Sequence, residues 1–200
     1  ELGVEKNDKK MIECYQKSAN LGCLEALNNL GNCYKDGIGV EQNYTKMIEC
    51  YQKAAEIEKQ SSILSNTRNA LPYFNLGICY FLGIGVEQNY TKMIEYFEKT
   101  AELGYPEALF NLGNCYKKGT GVEKNYTKMI EYYEKAAELG FSEALKNLGI
   151  CYKEGLGVEK NHAKMTEYFE KAAKIESEQL LNNTVDCFKE WLGIELKSPE

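Results

Sequence analysis

The sequence predicts an all-α solenoid of about four 36-residue helix-turn-helix repeats with a half-repeat at each end, one repeat domain over residues 1–200. Three observations carry this expectation. A Gly-x-Gly-Val motif recurs with its second glycine at Gly39, Gly85, Gly121 and Gly157, echoed by Gly3-Val4, in steps of 36, 46, 36 and 36 residues. A fixed period of this size marks stacked units that touch only their neighbours. Apolar residues fall at helical spacing on both sides of each motif, and glycines end those stretches, as positive-φ residues do at helix C-termini.

In chain order, residues 1–22 hold a loop and a second helix, "KNDKKMIECYQKSANLG", in mid-pattern, so the chain is expected to be a piece of a longer one. Full repeats follow at 23–58, 69–104, 105–140 and 141–176; the 46-residue step is one period plus an insertion over 59–68. In the unit 105–140, Ala108, Leu109, Leu112 and Tyr116 make the first helical stripe, and "GTGVEKN" breaks it. Asn125 is the expected N-cap of the second helix, whose face is Met129, Tyr133, Ala136 and Ala137, and Gly140 ends it. Neither stripe can be buried alone, so stacking supplies the core. Glu58 and Glu176 stand where other units have Gly104 and Gly140, which predicts longer second helices there. Residues 177–200 read as a degenerate capping helix, because "CFKEWLGIEL" aligns with "CYKEGLGVEK", with Trp191 in place of a loop glycine.

Gly31, Gly77, Gly113 and Gly149 lie inside the first helices, where glycine costs about 1 kcal/mol relative to alanine. Their recurrence predicts that another backbone approaches closely at each. With 44% apolar and 27% charged residues and three prolines, the composition is that of a folded soluble chain. The formal charge of −6 offers no footprint for nucleic acid or an anionic membrane, and no apolar run could cross a bilayer.

The pattern "EALxNLGxCYxxGxGVExNxxKMxEYxEKAAELG" resembles the Sel-1-like repeat (SLR), a relative of the tetratricopeptide repeat, over nearly the whole chain except the insertion. The resemblance implies a right-handed α/α superhelix with a concave groove lined by the first helices, and an adaptor or scaffold role. Members assemble signalling complexes, take part in endoplasmic-reticulum quality control, or serve bacteria in contact with hosts. The secreted cysteine-rich branch pairs two cysteines per repeat; the matching positions here are Ala101 with Leu109 and Ala137 with Leu145, so that framework is absent.

Cys33, Cys79, Cys115, Cys151 and Cys187 share one repeat position, and Cys14 and Cys50 another. Equivalent residues of stacked helices stand about 8–10 Å apart, beyond the ~7 Å Cα limit of a disulfide. They read as small buried apolar residues, and free thiols point to a reducing, cytoplasmic setting. Asn43, Asn89, Asn125 and Asn182 open N-x-Thr sequons, but the first three share the N-cap position, which explains the asparagine without glycans. The one histidine, His162, replaces a first-turn tyrosine. No G-x-S-x-G, P-loop, H-E-x-x-H or EF-hand pattern is present, so neither an enzyme nor a cofactor is expected.

On the helix "LPYFNLGICYFLG", Tyr73, Leu76, Gly77 and Tyr80 make the core face, while Phe74, Ile78 and Phe81 cluster about 100° away. If the family geometry holds, that direction is the groove. The same positions carry Asn28, Asn32 and Lys35 in the first unit, Phe110, Asn114 and Lys117 in the third, and Lys146, Ile150 and Lys153 in the fourth. An apolar centre with a polar, basic rim suits a protein or peptide with an apolar anchor beside an acidic residue. Alternatives are cover by Ile63 and Leu64 of the insertion, or self-association. A different class of function is a structural spacer within a longer chain that binds nothing itself.

Overall fold

In the computed structural model the backbone is described over residues 2–61 and 69–192, and side chains over 7–60 and 69–184. The described residues form α1 (Leu2–Asn20), α2 (Leu24–Asp36), α3 (Tyr44–Ser61), α4 (Leu71–Leu82), α5 (Tyr90–Glu102), α6 (Pro106–Lys118), α7 (Tyr126–Glu138), α8 (Ser142–Glu154) and α9 (His162–Leu192), with no strand among them. Each helix packs chiefly on its neighbours in the chain, most intimately within the pairs α2/α3, α4/α5, α6/α7 and α8/α9. This is an all-α solenoid of helical repeats.

The Gly-x-Gly loop has two separate jobs. Its first glycine ends the first helix: Gly119, at φ 79°, donates its N–H to the Cys115 carbonyl at 2.7 Å, and Thr120 donates to the same oxygen at 3.0 Å. Its second glycine joins units. A Cβ on Gly121 would stand 2.9 Å from the Tyr90 carbonyl, where the preceding unit's second helix begins. Asn125 then opens α7, its side chain accepting from the Lys128 N–H at 2.9 Å while its own N–H donates to the Tyr116 carbonyl at 2.9 Å. Asn43, Asn89 and Asn161 cap the other second helices in the same way.

The mid-helix glycines face a side chain rather than the expected backbone. A Cβ on Gly31, Gly77 or Gly113 would lie 2.5, 2.6 or 2.5 Å from the ring of Tyr51, Phe97 or Tyr133. The glycine lets an aromatic side chain of the partner helix lie flat on the first helix. A Cβ on Gly149 would have more room, 3.0 Å from the ring of Phe169, a residue that stays 36% exposed.

Without a glycine at position 58, α3 runs on to Ser61. Glu176 has the same effect on α9, which continues unbroken to Leu192. The expected capping helix over 177–200 is therefore corrected across the described residues: 177–192 prolongs the last second helix, and the side chains of 177–184 are exposed. Leu180 and Leu181 are 69% and 62% exposed, and Phe169 is not covered by them. The loop expected before the first second helix is also helical, since α1 starts at Leu2; Glu1 stands where the other units have their first glycine. The insertion over 59–68 falls mostly outside the described residues, and so does any cover by Ile63 and Leu64.

Three units carry the same aromatic stack. Tyr80, Tyr116 and Tyr152 lie nearly parallel to Tyr96, Tyr132 and Tyr168, with centroids 5.6, 5.5 and 5.6 Å apart. Lys92, Lys128 and Lys164 cover one side of these stacks, and Lys99, Lys135 and Lys171 the other. Such stacks tie first helix to second helix within a unit.

Candidate recognition groove

Three junctions between first helices repeat the same parts. At the first, Tyr51 is buried and its hydroxyl donates to Asn32 Oδ1 at 2.6 Å. At the third, Tyr133 does the same to Asn114 Oδ1 at 2.7 Å. Each bond satisfies a buried hydroxyl and joins the second helix to the first helix of its own unit. The middle junction differs. Phe97 replaces the tyrosine and Ile78 the asparagine, so no hydroxyl enters. The fourth unit repeats the apolar pair, as Phe169 with Ile150.

At that middle junction a slot of about 190 Å³ remains open between α4 and α6. Ile78 and Phe81 form one wall, and Met93 and Phe97 of α5 form the floor. Asn111, Asn114, Cys115 and Lys118 of α6 form the other wall, closed at the loop by Thr120. Two more departures from the repeat meet here. Phe81 stands where other units have Lys35, Lys117 and Lys153, and Thr120 where they have Ile38, Ile84 and Leu156.

The expected groove residues divide accordingly. Ile78, Phe81 and Asn114 come together in the slot. Phe74 and Phe110 are half-buried in aromatic clasps instead: Phe74 against Phe97 and Tyr105 with centroids 5.7 and 5.0 Å apart, Phe110 against Tyr133 and Phe141 at 5.5 and 5.3 Å. Asn32 and Asn114 use their carbonyls on tyrosine hydroxyls, which leaves their amide N–H groups to offer. Ile150 is half-buried, Lys117 half-buried, and Lys35 and Lys153 exposed. Lys35 lies 3.7 Å from Asp36, and Lys146 pairs with Glu176 at 2.7 Å. Asn28 is buried and accepts from Asn75 Nδ2 at 2.7 Å, a bridge between α2 and α4.

Phe97, Met93, Asn111, Lys118 and Thr120 were not among the expected site residues. The available signal was departure from the repeat: Phe97 for tyrosine and Thr120 for an aliphatic residue. Cys115 lies buried beside the slot, and burial pushes its thiol up to about 11 although Lys118 pulls the other way. Cys79 is likewise raised to about 11. These thiols stay protonated and serve as small apolar core groups, and all seven described cysteines are free. Larger hollows of about 610 and 650 Å³ lie between successive second helices, α3 with α5 and α5 with α7. They are furrows lined by glutamates and lysines such as Glu56, Lys99, Glu102 and Lys135, repeated along the array. Among the described residues no cluster of His, Cys, Asp and Glu could hold a metal ion, and no helix is long and apolar enough to cross a membrane.

The Sel1 repeat family pattern matches residues 1–23, 24–57, 73–105, 106–141 and 142–175. No curated protein matches. Among solved structures, the chain is similar to a protective antigen of uropathogenic Escherichia coli strains displaying an SLR fold, with 28% identity and a TM-score of 0.73 over 82% of this chain and 33% of that one. It is also similar to a Sel1 repeat protein from Oxalobacter formigenes, with 29% identity and a TM-score of 0.72 over 82% of this chain and 63% of that one. The chain thus spans about a third and under two thirds of these two relatives.

Proposed function

This chain belongs to the Sel1 repeat family, whose members generally mediate protein–protein interaction, and we propose that it is an interaction scaffold binding a peptide or protein segment along the face formed by its first helices. The observation that carries the reading is the open middle junction. The first and third units carry a tyrosine–asparagine bond, whereas at the middle junction Ile78 and Phe81 of α4 and Met93 and Phe97 of α5 face the polar wall of α6 across an unfilled slot. Phe81 at its mouth is 39% exposed. Its ring leans on Tyr90, with centroids 6.2 Å apart, yet stays exposed where sister units carry lysine, and buried aromatic anchors dominate interface energetics. Neutral amides and lysines surround this centre, which supports a partner whose apolar anchor sits among polar groups.

A displayed random-peptide selection tests this. Phe81→Lys writes the residue of the three sister units at an exposed position, so it leaves the fold intact. Peptides that enrich on the native chain and weaken at least tenfold on Phe81→Lys support the groove. Enrichment that ignores Phe81→Lys, or no enrichment at all, removes it and leaves a spacer that binds nothing by this face.

A further inference from the structure

Resting on that reading, we infer that the slot between α4 and α6 takes a single aliphatic side chain of an acidic peptide segment, whose carboxylates meet the ammonium of Lys118 and that of neighbouring Lys117. Size comes first. At about 190 Å³ the slot is smaller than the ~300–1,000 Å³ of small-molecule sites, and it matches one side chain rather than a cofactor. One wall and the floor, Ile78, Phe81, Met93 and Phe97, carry no hydrogen-bonding group on their side chains, while Asn111, Asn114 and Lys118 line the facing wall, so the group that fills it sets an apolar side against α4 and α5.

The rim sets the partner's charge. Asn114 has its carbonyl engaged by the Tyr133 hydroxyl, so it turns N–H donors to an incoming group. Lys118 adds a cation at the slot itself. Neither Lys117 nor Lys118 takes part in an ion pair among the described residues, unlike Lys35 and Lys146, which are held by Asp36 and Glu176. Lys118 lines the slot and acts electrostatically on Cys115 beside it, while Lys117 acts on Cys151 of the next unit and so serves the adjoining stretch of the face. A rim of donors and unpaired cations is complementary to a segment of acceptors and anions. The slot's aperture is set by Phe97 and Ile78: the tyrosine–asparagine pair of the sister units would bring a hydroxyl and an amide into the same space.

The test uses the full chain and a displayed library of random ten-residue peptides, read by sequence composition. Ile78→Asn with Phe97→Tyr copies the pair of the two closed junctions, so it fills the slot with parts that already fold elsewhere in this chain; helical circular dichroism checks that. On the native chain the enriched peptides should share a Leu, Ile or Met flanked within two residues by Asp or Glu. On the filled version the aliphatic position should lose its enrichment, and the best synthetic peptide should bind at least tenfold more weakly. On Lys117→Gln with Lys118→Gln the aliphatic position should persist while the acidic preference disappears. The inference is overturned if the filled version selects the same motif, or if the motif is neutral or basic. It is overturned equally if binding appears only after Ile63→Ser with Leu64→Ser, which makes the insertion the occupant. A native dimer in sedimentation that the filled version abolishes would make the occupant a second copy. Enrichment that depends on Phe81 but ignores the filled slot would sink this inference alone; no enrichment on any version sinks the groove reading with it.

Discussion

Beneath the junction of α2 and α4, Tyr51 of α3 donates its hydroxyl to Asn32 of α2; beneath the junction of α4 and α6, Phe97 of α5 sits in the same place beside Ile78, and a slot opens. Backbone, loop and cap are the same at both. The difference lies in one oxygen atom and the residue that receives it, with Phe81 and Thr120 as further departures at the slot. A repeat protein can thus keep its scaffold constant and vary one junction as a local exception. The partner substitutions travel together, Tyr51 with Asn32 and Tyr133 with Asn114, against Phe97 with Ile78 and Phe169 with Ile150. That is what a hydroxyl requires: buried, it needs an acceptor, and without the hydroxyl an apolar neighbour packs better.

The largest effect that bears on this comparison belongs to the glycine beneath the ring. Gly113→Val should cost about 3 kcal/mol, because the added atoms meet the fully buried Tyr133 ring at 2.5 Å. Lys118→Val, on the exposed surface, should change stability by under ~0.5 kcal/mol. Gly149→Ala should fall close to zero: Phe169 is partly exposed and can give way, while alanine gains about 1 kcal/mol of helix propensity. Urea unfolding midpoints decide all three, and equal midpoints for Gly113→Val and Lys118→Val would refute the ring contact.

Next in size, Tyr133→Phe should cost about 1 kcal/mol by leaving the Asn114 carbonyl without its donor. The loops offer a control that does not distinguish open from closed junctions. Asn89→Ala and Asn125→Ala should each cost about 1 kcal/mol, and by the same amount, because both caps accept from a lysine N–H, at 3.0 and 2.9 Å. A clear difference in thermal midpoint between them would mean that the open junction disturbs the backbone as well as the side chains.

The smallest effect is a pH dependence. Burial raises the Cys79 and Cys115 thiols to about 11, one at a closed junction and one at the open slot. The folded chain holds these protons more tightly than the unfolded chain, where a thiol titrates near 8.5. Their contribution is therefore complete below pH ~8.5 and is lost as pH rises towards 11. Stability followed by denaturation between pH 8 and 11 should decline, and Cys115→Ala should make the decline shallower. A flat profile would contradict the burial of these thiols.

Most of the scaffold was legible in the sequence because period, glycine and asparagine each have a local physical meaning. The lengthening of α3 and α9 followed from two missing glycines, Gly104 and Gly140 having no counterpart at Glu58 and Glu176. What the mid-helix glycines make room for was not legible: a close approach follows from the residue type, but only packing shows that the guest is Tyr51, Phe97 or Tyr133. The terminal helix escaped for a related reason. The 36-residue alignment matched 177–200 to a first helix, yet nothing at Glu176 turns the chain, and α9 continues. The helical wheel put Ile78, Phe81 and Asn114 on one helical face per unit, and all three line the slot. Phe97 and Thr120 lie on another helix and a loop, so their convergence on the slot is a tertiary fact. The wheel also placed Phe74 and Phe110 in the groove, and geometry draws them half into the stack, against Tyr105 and Phe141.

The central claim is that the tyrosine–asparagine bond is what closes a junction. A double-mutant cycle on Tyr133→Phe and Asn114→Ile measures it directly by urea unfolding. Each single change should destabilise, Asn114→Ile by about 1–3 kcal/mol through a stranded buried hydroxyl, and the double variant should recover much of the loss, with a coupling of about 1 kcal/mol or more. If the two costs simply add, the hydroxyl and the amide are independent, and the contrast between open and closed junctions has another cause.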